Sequence, residues 1–352
     1  MSFQTYLQPV IAKKDLTESM MVEAMTQVME GAVSDIQLAA FLTALQVKKE
    51  TVPEIAGAAK VMREKAEKVK VNKSNIIDTC GTGGDGSETF NISTAVAFVV
   101  AGAGLTVAKH GNRAVSSRSG SADVLKCLGV NIDASLSIVE RCIEQVGIGF
   151  LFAPLMHKAM KHAAVVRKEL GFRTIFNLLG PLTNPAGAHV QLLGVFDSKW
   201  VSPLAEVLRD LGSHHALVVH GFDGLDEITL TGETQVAELK SGDITTFSIN
   251  PKDFGYSLCS TEDLKGGTPE ENAFLIRNIL NGDQGPKTDI VILNAAAALY
   301  IGGKAESISQ GILVAINSIK SGAANKKMDE LCRVSNCLLY TSPSPRDGLL
   351  SR

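Results

Sequence analysis

The residues most able to do chemistry begin with the run Asp78-Thr-Cys-Gly-Thr-Gly-Gly-Asp85 and continue through Thr89, Asn91, Ser93 and Thr94 to Lys109-His110-Gly111-Asn112-Arg113. Glycines let backbone N–H groups approach an anion closely, and hydroxyls at a helix start add further donors. That is chemistry for a ligand carrying several phosphates. Gly81, Gly83 and Gly84 follow directly on a strand. Glycines also make ordinary strand-to-helix turns, so the signal lies in their combination with Asn91, Ser93 and Thr94 at the start of an apolar helix. Asp85 has no evident capping task and suits a sugar hydroxyl or an ordered water. Lys109 and Arg113 close the next strand, on the rim where parallel sheets hold ligands, and both can meet phosphate. His110 either lines the pocket or is a structural histidine. Ser116, Ser117 and Ser121 follow at the next loop and helix start, for capping or for ligand.

Asp226-Glu227 is the second element. Adjacent carboxylates repel in a tight site unless a cation joins them, and magnesium takes one or two carboxylates with phosphate oxygens and water. In isolation the pair reads as an exposed acidic turn; beside a phosphate site it reads as a metal pair on an exposed loop. Arg167 shares a helix with Lys158, Lys161 and Lys168. It belongs either to a solvated basic face or to a site for a planar carboxylate, which Arg grips with two parallel hydrogen bonds.

The elements that must hold these groups fall into two parts. Residues 1–72 read as helices only, over 16–30, 34–47 and from Thr51, where Thr51 with Glu54 forms a capping-box pattern and Pro53 suits a first turn. Lysines 65, 68, 70 and 73 mark a solvated exit. Strands and helices alternate from residue 75. Strands are expected at 76–77, 105–108, 130–132, 148–152, 190–196 and 216–219. Helices are expected over 93–103, from 119 or 121 to 129, from a Ser137–Glu140 cap to 146, over 155–170 and over 202–211. This alternation predicts a mostly parallel sheet with right-handed crossovers. A hairpin around Ser241-Gly242-Asp243 and three helices near 268–281, 289–301 and 306–321 complete it. The segment 171–188 is expected to pass back to the helical part, and 73–336 to form the α/β domain. Residues 337–352 have no period, and their Ser-Pro pairs disfavour regular structure.

The chain has 352 residues, 45% hydrophobic and 20% charged, enough for a sizeable core in two domains. With 34 Lys+Arg against 37 Asp+Glu, it has no basic excess for nucleic acid. Six scattered cysteines show no C-x-x-C spacing, which argues against a zinc site or disulfide framework and for a reducing cytoplasm. No apolar run approaches the roughly 20 residues that span a bilayer.

Gly-Thr-Gly-Gly-Asp, Asn-x-Ser-Thr, Lys-His-Gly-Asn-Arg-Ala-Val-Ser-Ser, Gly-Leu-Asp-Glu and Gly-Pro-Leu-Thr-Asn-Pro stand together in this chain. In their order along the chain they resemble the anthranilate phosphoribosyltransferase family over about residues 1–335. The resemblance implies a small all-helical domain joined to a larger α/β domain with a mostly parallel central sheet, as in nucleoside phosphorylases and phosphoribosyltransferases. It implies a homodimer through the helical part. It also implies transfer of a phosphoribosyl group from phosphoribosyl pyrophosphate to the amine of anthranilate, with magnesium and release of pyrophosphate, in tryptophan biosynthesis. The donor site would comprise Gly81, Gly84, Asp85, Thr89, Asn91, Ser93, Thr94, Lys109, Arg113, Ser117 and Ser121. Metal would be held by Ser93, Asp226 and Glu227. Anthranilate would meet Gly81, His110, Asn112 and Arg167, with Asn112 and Arg167 as orienters and no general base. His157-Lys158 and Lys126 depart from the family's pattern, and the tail after about residue 336 matches none of it. A nucleoside phosphorylase-like enzyme and a non-enzymatic nucleic-acid-binding relative are the rivals; the acidic pair and the near-neutral charge weigh against them. A glutamine amidotransferase partner is left open.

Overall fold

The computed structural model describes residues 2–73, 75–114 and 118–337. Its first part is a helical bundle: α1 (Gln4–Ile11), α2 (Glu18–Met29), α3 (Asp35–Lys48) and α4 (Val52–Lys65). Ser34 caps α3 by accepting the Gln37 N–H, and Thr51 with Glu54 forms the capping box of α4. Glu54 does more than cap. Fully buried, it accepts the N–H groups of Leu16 and Thr51 at 2.9 and 2.8 Å and the Lys48 ammonium at 2.9 Å, so it ties three segments of the bundle together.

The second part alternates as expected: β1 (Ile76–Gly81), α5 (Ile92–Gly102), β2 (Thr106–Gly111), α6 (Ser121–Leu128), α7 (Leu136–Arg141), β3 (Ile148–Phe152), α8 (Ala153–Met156), α9 (Lys161–Leu170), α10 (Phe176–Leu182), β4 (Val190–Gly194), α11 (Val201–Asp210) and β5 (His215–Gly221). A hairpin, β6 (Thr234–Lys240) and β7 (Asp243–Ile249), turns through Ser241 and Gly242, both at positive φ. The last helices are α12 (Pro269–Leu280), α13 (Pro286–Ile301), α14 (Ile308–Lys320) and α15 (Ala323–Ser335). The seven strands form one sheet ordered β3-β2-β1-β4-β5-β6-β7, parallel from β3 to β5 and antiparallel beyond. Helix α5, buried along nearly its whole length, lies in the core on one face of the sheet with α13. The bundle and α11 cover the other face, and Ile175, Phe176, Leu178, Leu179 and Leu182 of the returning segment join that second core.

Five expectations are corrected. Residues 130–132 form no strand: Val130 and Ile132 are buried in a connecting loop, and β3 occupies the sheet edge beside β2. The helix expected to be capped by Ser137 begins two residues earlier, where the Ser135 carbonyl accepts the backbone N–H groups of Ile138 and Val139, and it ends in a π turn over Cys142–Val146. The single helix expected over 155–170 breaks at His157, whose backbone leaves helical geometry while its ring is buried. Strand β2 extends to Gly111, so Lys109 and His110 lie within it rather than beyond it. Four helices rather than three end the described chain; α15 buries Ala324, Met328, Leu331 and Val334 at helical spacing. All six cysteines are free thiols. Among the described residues no helix is long and apolar enough to cross a membrane.

Candidate active site

The strand order reverses between β1 and β4, and the crevice beyond their carboxyl ends is where open α/β sheets bind ligands. Gly81 and Gly194 end these two strands in register. Asp226 is seated on both: a Cβ at Gly81 would collide with its carboxylate, and one at Gly194 with its carbonyl oxygen. Its Oδ2 accepts the Gly83 N–H at 2.8 Å. Glu227 is buried beside it between Leu225 and Ile228, so the pair is not the exposed loop that the sequence suggests. Burial pushes both carboxyls up. The Asp85 carboxylate adds to the effect at Asp226, and Asp226 itself adds to it at Glu227. Lys109 and the Ser93 N–H offset part of the cost at Glu227, and Arg173 part of it at Asp226.

Such a pair fits a divalent cation, which relieves the repulsion that burial sharpens. Among the described residues no three His, Cys, Asp or Glu side chains converge as a complete metal cage. An ion held by Asp226, Glu227 and the Ser93 hydroxyl would complete its shell from phosphate oxygens and water, as magnesium does.

The loop after β1 carries positive φ at Gly83, Gly84 and Gly86, which only glycine adopts without strain. Asp85 does have a local task, since it accepts the Ser87 N–H at 3.4 Å and contacts the Ser87 hydroxyl. Thr89 forms an isolated antiparallel bridge with Lys265. Asn91 starts α5 without capping it through its side chain. Instead its amide donates to the Ser119 carbonyl at 3.0 Å and accepts from the Ser119 hydroxyl at 3.0 Å and from Asn272 at 3.1 Å, clipping three loops together. Thr94 is buried with its hydroxyl unpartnered among the described residues.

Lys109 reaches across from β2 and donates to the Thr79 carbonyl at 2.6 Å and to the Ser93 hydroxyl at 3.2 Å. It is 3% exposed, and burial pulls its pKa down against the attraction of Asp78, Cys80, Glu227 and Asp226. Arg113 stays at the surface, 3.4 Å from Asp123 and above the Phe152 ring. Asp123 also accepts the N–H groups of Ala114 and Gly120, and Ser121 donates to the Asn112 carbonyl at 3.3 Å, so the rim is stitched at both ends. Ser116 and Ser117 lie outside the described residues.

On the other side of Lys109, Asp78 is fully buried. It accepts the His110 N–H at 3.2 Å and the Asn184 amide at 2.8 Å, and burial raises its pKa to about 6. Asn184 also donates to the Ala108 carbonyl at 2.8 Å, so the motif from Gly180 to Pro185 is clamped to β1 and β2. The Gly180 carbonyl lies 3.2 Å from His110 Nδ1, which fixes the proton there and leaves Nε2 a buried acceptor without a partner among the described residues. His157 stands 5.1 Å away, ring to ring, and its Nε2 is also unpartnered. Burial depresses His110 to about 3, helped by His157, and His157 to about 4, helped by Lys68. Asn112 is exposed, its side-chain oxygen accepting the Arg113 N–H at 2.8 Å.

Arg167 is not part of a solvated face. Lys158 pairs with Glu67 at 2.9 Å and Lys161 and Lys168 are exposed, but Arg167 is half-buried, 5.1 Å above the Phe176 ring, with no ion pair among the described residues. Burial lowers its pKa. Phe176 and Gly180 are four residues apart in α10, so one helix supplies a contact to both Arg167 and His110. Sequence reasoning missed Asp78, His157, Arg173 and Asn184. Two of these stand inside the quoted motifs, but nothing in their spacing announces the contacts.

The family described as glycosyl transferase family, helical bundle domain, matches residues 4–66, and the family described as glycosyl transferase family, a/b domain, matches residues 73–325. The anthranilate phosphoribosyltransferase of Acetivibrio thermocellus is 54% identical over 333 residues, covering 95% of this chain and 96% of its own. That of Petrotoga mobilis is 53% identical over 336 residues, covering 96% and 98%. Among solved structures, anthranilate phosphoribosyltransferase from Thermus thermophilus superposes with a TM-score of 0.90 at 44% identity, covering 94% of this chain and 99% of that one. The Saccharomyces cerevisiae enzyme in complex with PRPP and Mg gives 0.87 at 29% identity, covering 96% and 98%.

The two neutral histidines make stability pH-dependent. Below the unfolded value near 6.5 the unfolded chain takes up a proton that folded His157 refuses down to about 4, so stability present above pH 6.5 is lost as the pH falls. His110 adds the same sign down to about 3. His157→Phe is expected to remove roughly 2 kcal/mol of the difference in unfolding free energy between pH 7 and pH 5. Urea titrations at the two pH values check this; parallel losses in variant and parent would show that the ring titrates as it does in water.

Proposed function

Because the chain belongs to the anthranilate phosphoribosyltransferase family, we infer that its switch-point crevice transfers the phosphoribosyl group of phosphoribosyl pyrophosphate to the amine of anthranilate, releasing pyrophosphate. The observation that carries the reading is the buried Asp226–Glu227 pair on Gly81 and Gly194, beside Lys109 and the start of α5. In this reading Gly81, Gly84, Asp85, Thr89, Asn91, Ser93, Thr94, Lys109, Arg113, Ser117 and Ser121 receive the donor. The N–H groups of the glycine loop and of α5 meet its phosphates, with Lys109 and Arg113 supplying positive charge. Ser93, Asp226 and Glu227 hold magnesium, which when bound offsets the charge of the departing pyrophosphate. Displacement at the anomeric carbon then depends on positioning and fixed charge.

Arg167 grips the acceptor's carboxylate, with Gly81, Asn112 and His110 around it. Phe176 beneath the guanidinium keeps it partly desolvated and therefore strongly attractive to an anion. The amine is already neutral and needs orientation. Depressed to about 3 and about 4, His110 and His157 are neutral and only weakly basic at neutral pH, so neither acts as a general base.

Loss of anthranilate fluorescence with donor and magnesium tests the activity directly. Arg167→Ala is expected to lower kcat/KM for anthranilate about 30- to 150-fold, the worth of a charged hydrogen bond of roughly 2–3 kcal/mol, and to leave the donor's KM near its parent value. Equal shifts in both Michaelis constants would remove Arg167 from the acceptor site.

For the metal, Asp226→Asn with Glu227→Gln is expected to raise the magnesium requirement and to abolish any magnesium-dependent gain in Tm, while the metal-free Tm holds or rises because a buried repulsion is gone. A magnesium response equal to the parent's would refute the assignment.

The same reading makes the bundle the face through which two copies of the chain pair. A groove of about 440 Å³ between α1 and α3 is lined mainly by Val10, Ile11, Ala39, Ala40 and Val47. Around it Ile36 and Val47 are 83% and 64% exposed, an apolar surface suited to a second copy of this chain. Val47→Glu should convert a dimer to a monomer in light scattering with its helical circular dichroism intact; an unchanged mass would move the interface elsewhere.

A further inference from the structure

We propose that Arg173 is a positioning residue for the donor: it holds the glycine loop after β1 in place from the segment that also carries the acceptor-side residues. The proposal rests on the phosphoribosyl-transfer reading of the same crevice.

Arg173 lies between α9 and α10, 89 residues from Gly84, yet its Nη2 donates to the Gly84 carbonyl. Gly84 sits between Gly83 and Gly86, in a stretch where three glycines take positive φ; Asp226 pins Gly83, Ser87 bonds Asp85, and Thr82 and Glu88 are bonded at the loop's two ends. A chain of glycines loses more freedom on ordering than any other, so one charge-assisted bond to its middle carbonyl removes much of what donor binding would otherwise have to freeze. The guanidinium is itself fixed. It lies 3.8 Å from the centroid of the Phe196 ring, just beyond β4, and the Phe196 N–H donates to the Thr82 hydroxyl at 3.0 Å. The platform and the loop it steadies therefore belong to the two strands that flank the crevice.

The rest of the segment points the same way. Residues 171–175 connect Arg167, stacked on Phe176, to Gly180, which holds His110. The strip that orders the acceptor side thus also holds the donor loop, and Arg173 is its hand on that loop. A lysine can keep the single bond to Gly84 but lacks the flat face for Phe196; a methionine keeps the packing and loses the donor.

The test is steady-state kinetics with each substrate varied in turn, together with calorimetric binding of phosphoribosyl pyrophosphate and the Tm of the unloaded protein. Arg173→Met is expected to raise KM and Kd for the donor about tenfold, with a smaller change in kcat and in the KM for anthranilate. Arg173→Lys should recover part of the donor affinity, and Phe196→Leu should fall between the parent and Arg173→Met. The unloaded Tm should move by no more than a degree or two, since the contact is half-buried and local. Donor KM within twofold of the parent, or donor and acceptor constants rising together, would overturn the proposal; so would a fall in Tm that accounts for the loss. A parent protein that neither binds nor turns over the donor would instead refute the functional reading, which keeps the two failures distinct.

Discussion

Two adjacent carboxylates are buried over the ends of two parallel strands, and most of the surrounding architecture is a response to that charge. Asp226 reaches its position only because Gly81 and Gly194 offer no Cβ. Glu227 lies within the field of Lys109, which is drawn 3% exposed into the interior to meet it, and the start of α5 turns the Ser93 N–H toward the same carboxyl. Arg173 works on Asp226 from the opposite side. None of these partners neutralises the pair fully, because both carboxyls remain pushed up. A pair whose ionisation is held back by burial and mutual repulsion ionises more readily once a cation stands against it, so the arrangement fits a metal site better than it serves stability.

Asp78 plays the matching part beneath the floor. Its two oxygens are divided between the His110 backbone and Asn184, so one buried carboxylate sets the height of β2 against β1 and fastens the Gly180–Pro185 strip to both. Lys109 and His110 are neighbours in β2 and project to opposite faces, one toward the phosphate loop and the other toward α10. On the proposed reading a single strand end thereby serves donor and acceptor. A shift of that strand by one residue would exchange the two side chains, and the clamp on Asp78 is what forbids it.

The alternation of strands and helices, the caps at Ser34 and Thr51, and the hairpin at Ser241-Gly242 were legible because each is local: a period, a capping pair or a turn dipeptide. The same local signals misled at 130–132, where two apolar residues suffice to suggest a strand but only a free sheet edge could accept one. They also misled at His157, where a helical pattern is broken by the demand of a buried ring for a place against His110. The phosphate loop, the acidic pair, Lys109 and Arg113 were legible as types of residue. Their exposure was not: Asp226-Glu227 looks like a surface turn until Gly81 and Gly194 are brought beneath it from 145 and 32 positions away. Asp78, Asn184 and Arg173 act through contacts with no sequence period at all, so spacing could not reveal them.

On the proposed reading, charge is divided unevenly across the crevice. The donor side gathers titratable groups: the Asp226–Glu227 pair, Asp85, a buried ammonium and an exposed guanidinium. On the acceptor side Arg167 is joined by two histidines that burial holds neutral far below ordinary pH. Had either histidine carried a proton at neutral pH, it would, on the proposed reading, compete with Arg167 for the acceptor's carboxylate. Held neutral, with Nδ1 of His110 engaged by Gly180, the rings add no charge of their own. On that reading the carboxylate has one electrostatic anchor, and the reaction itself is left to proximity and to the charge gathered on the other side of the crevice.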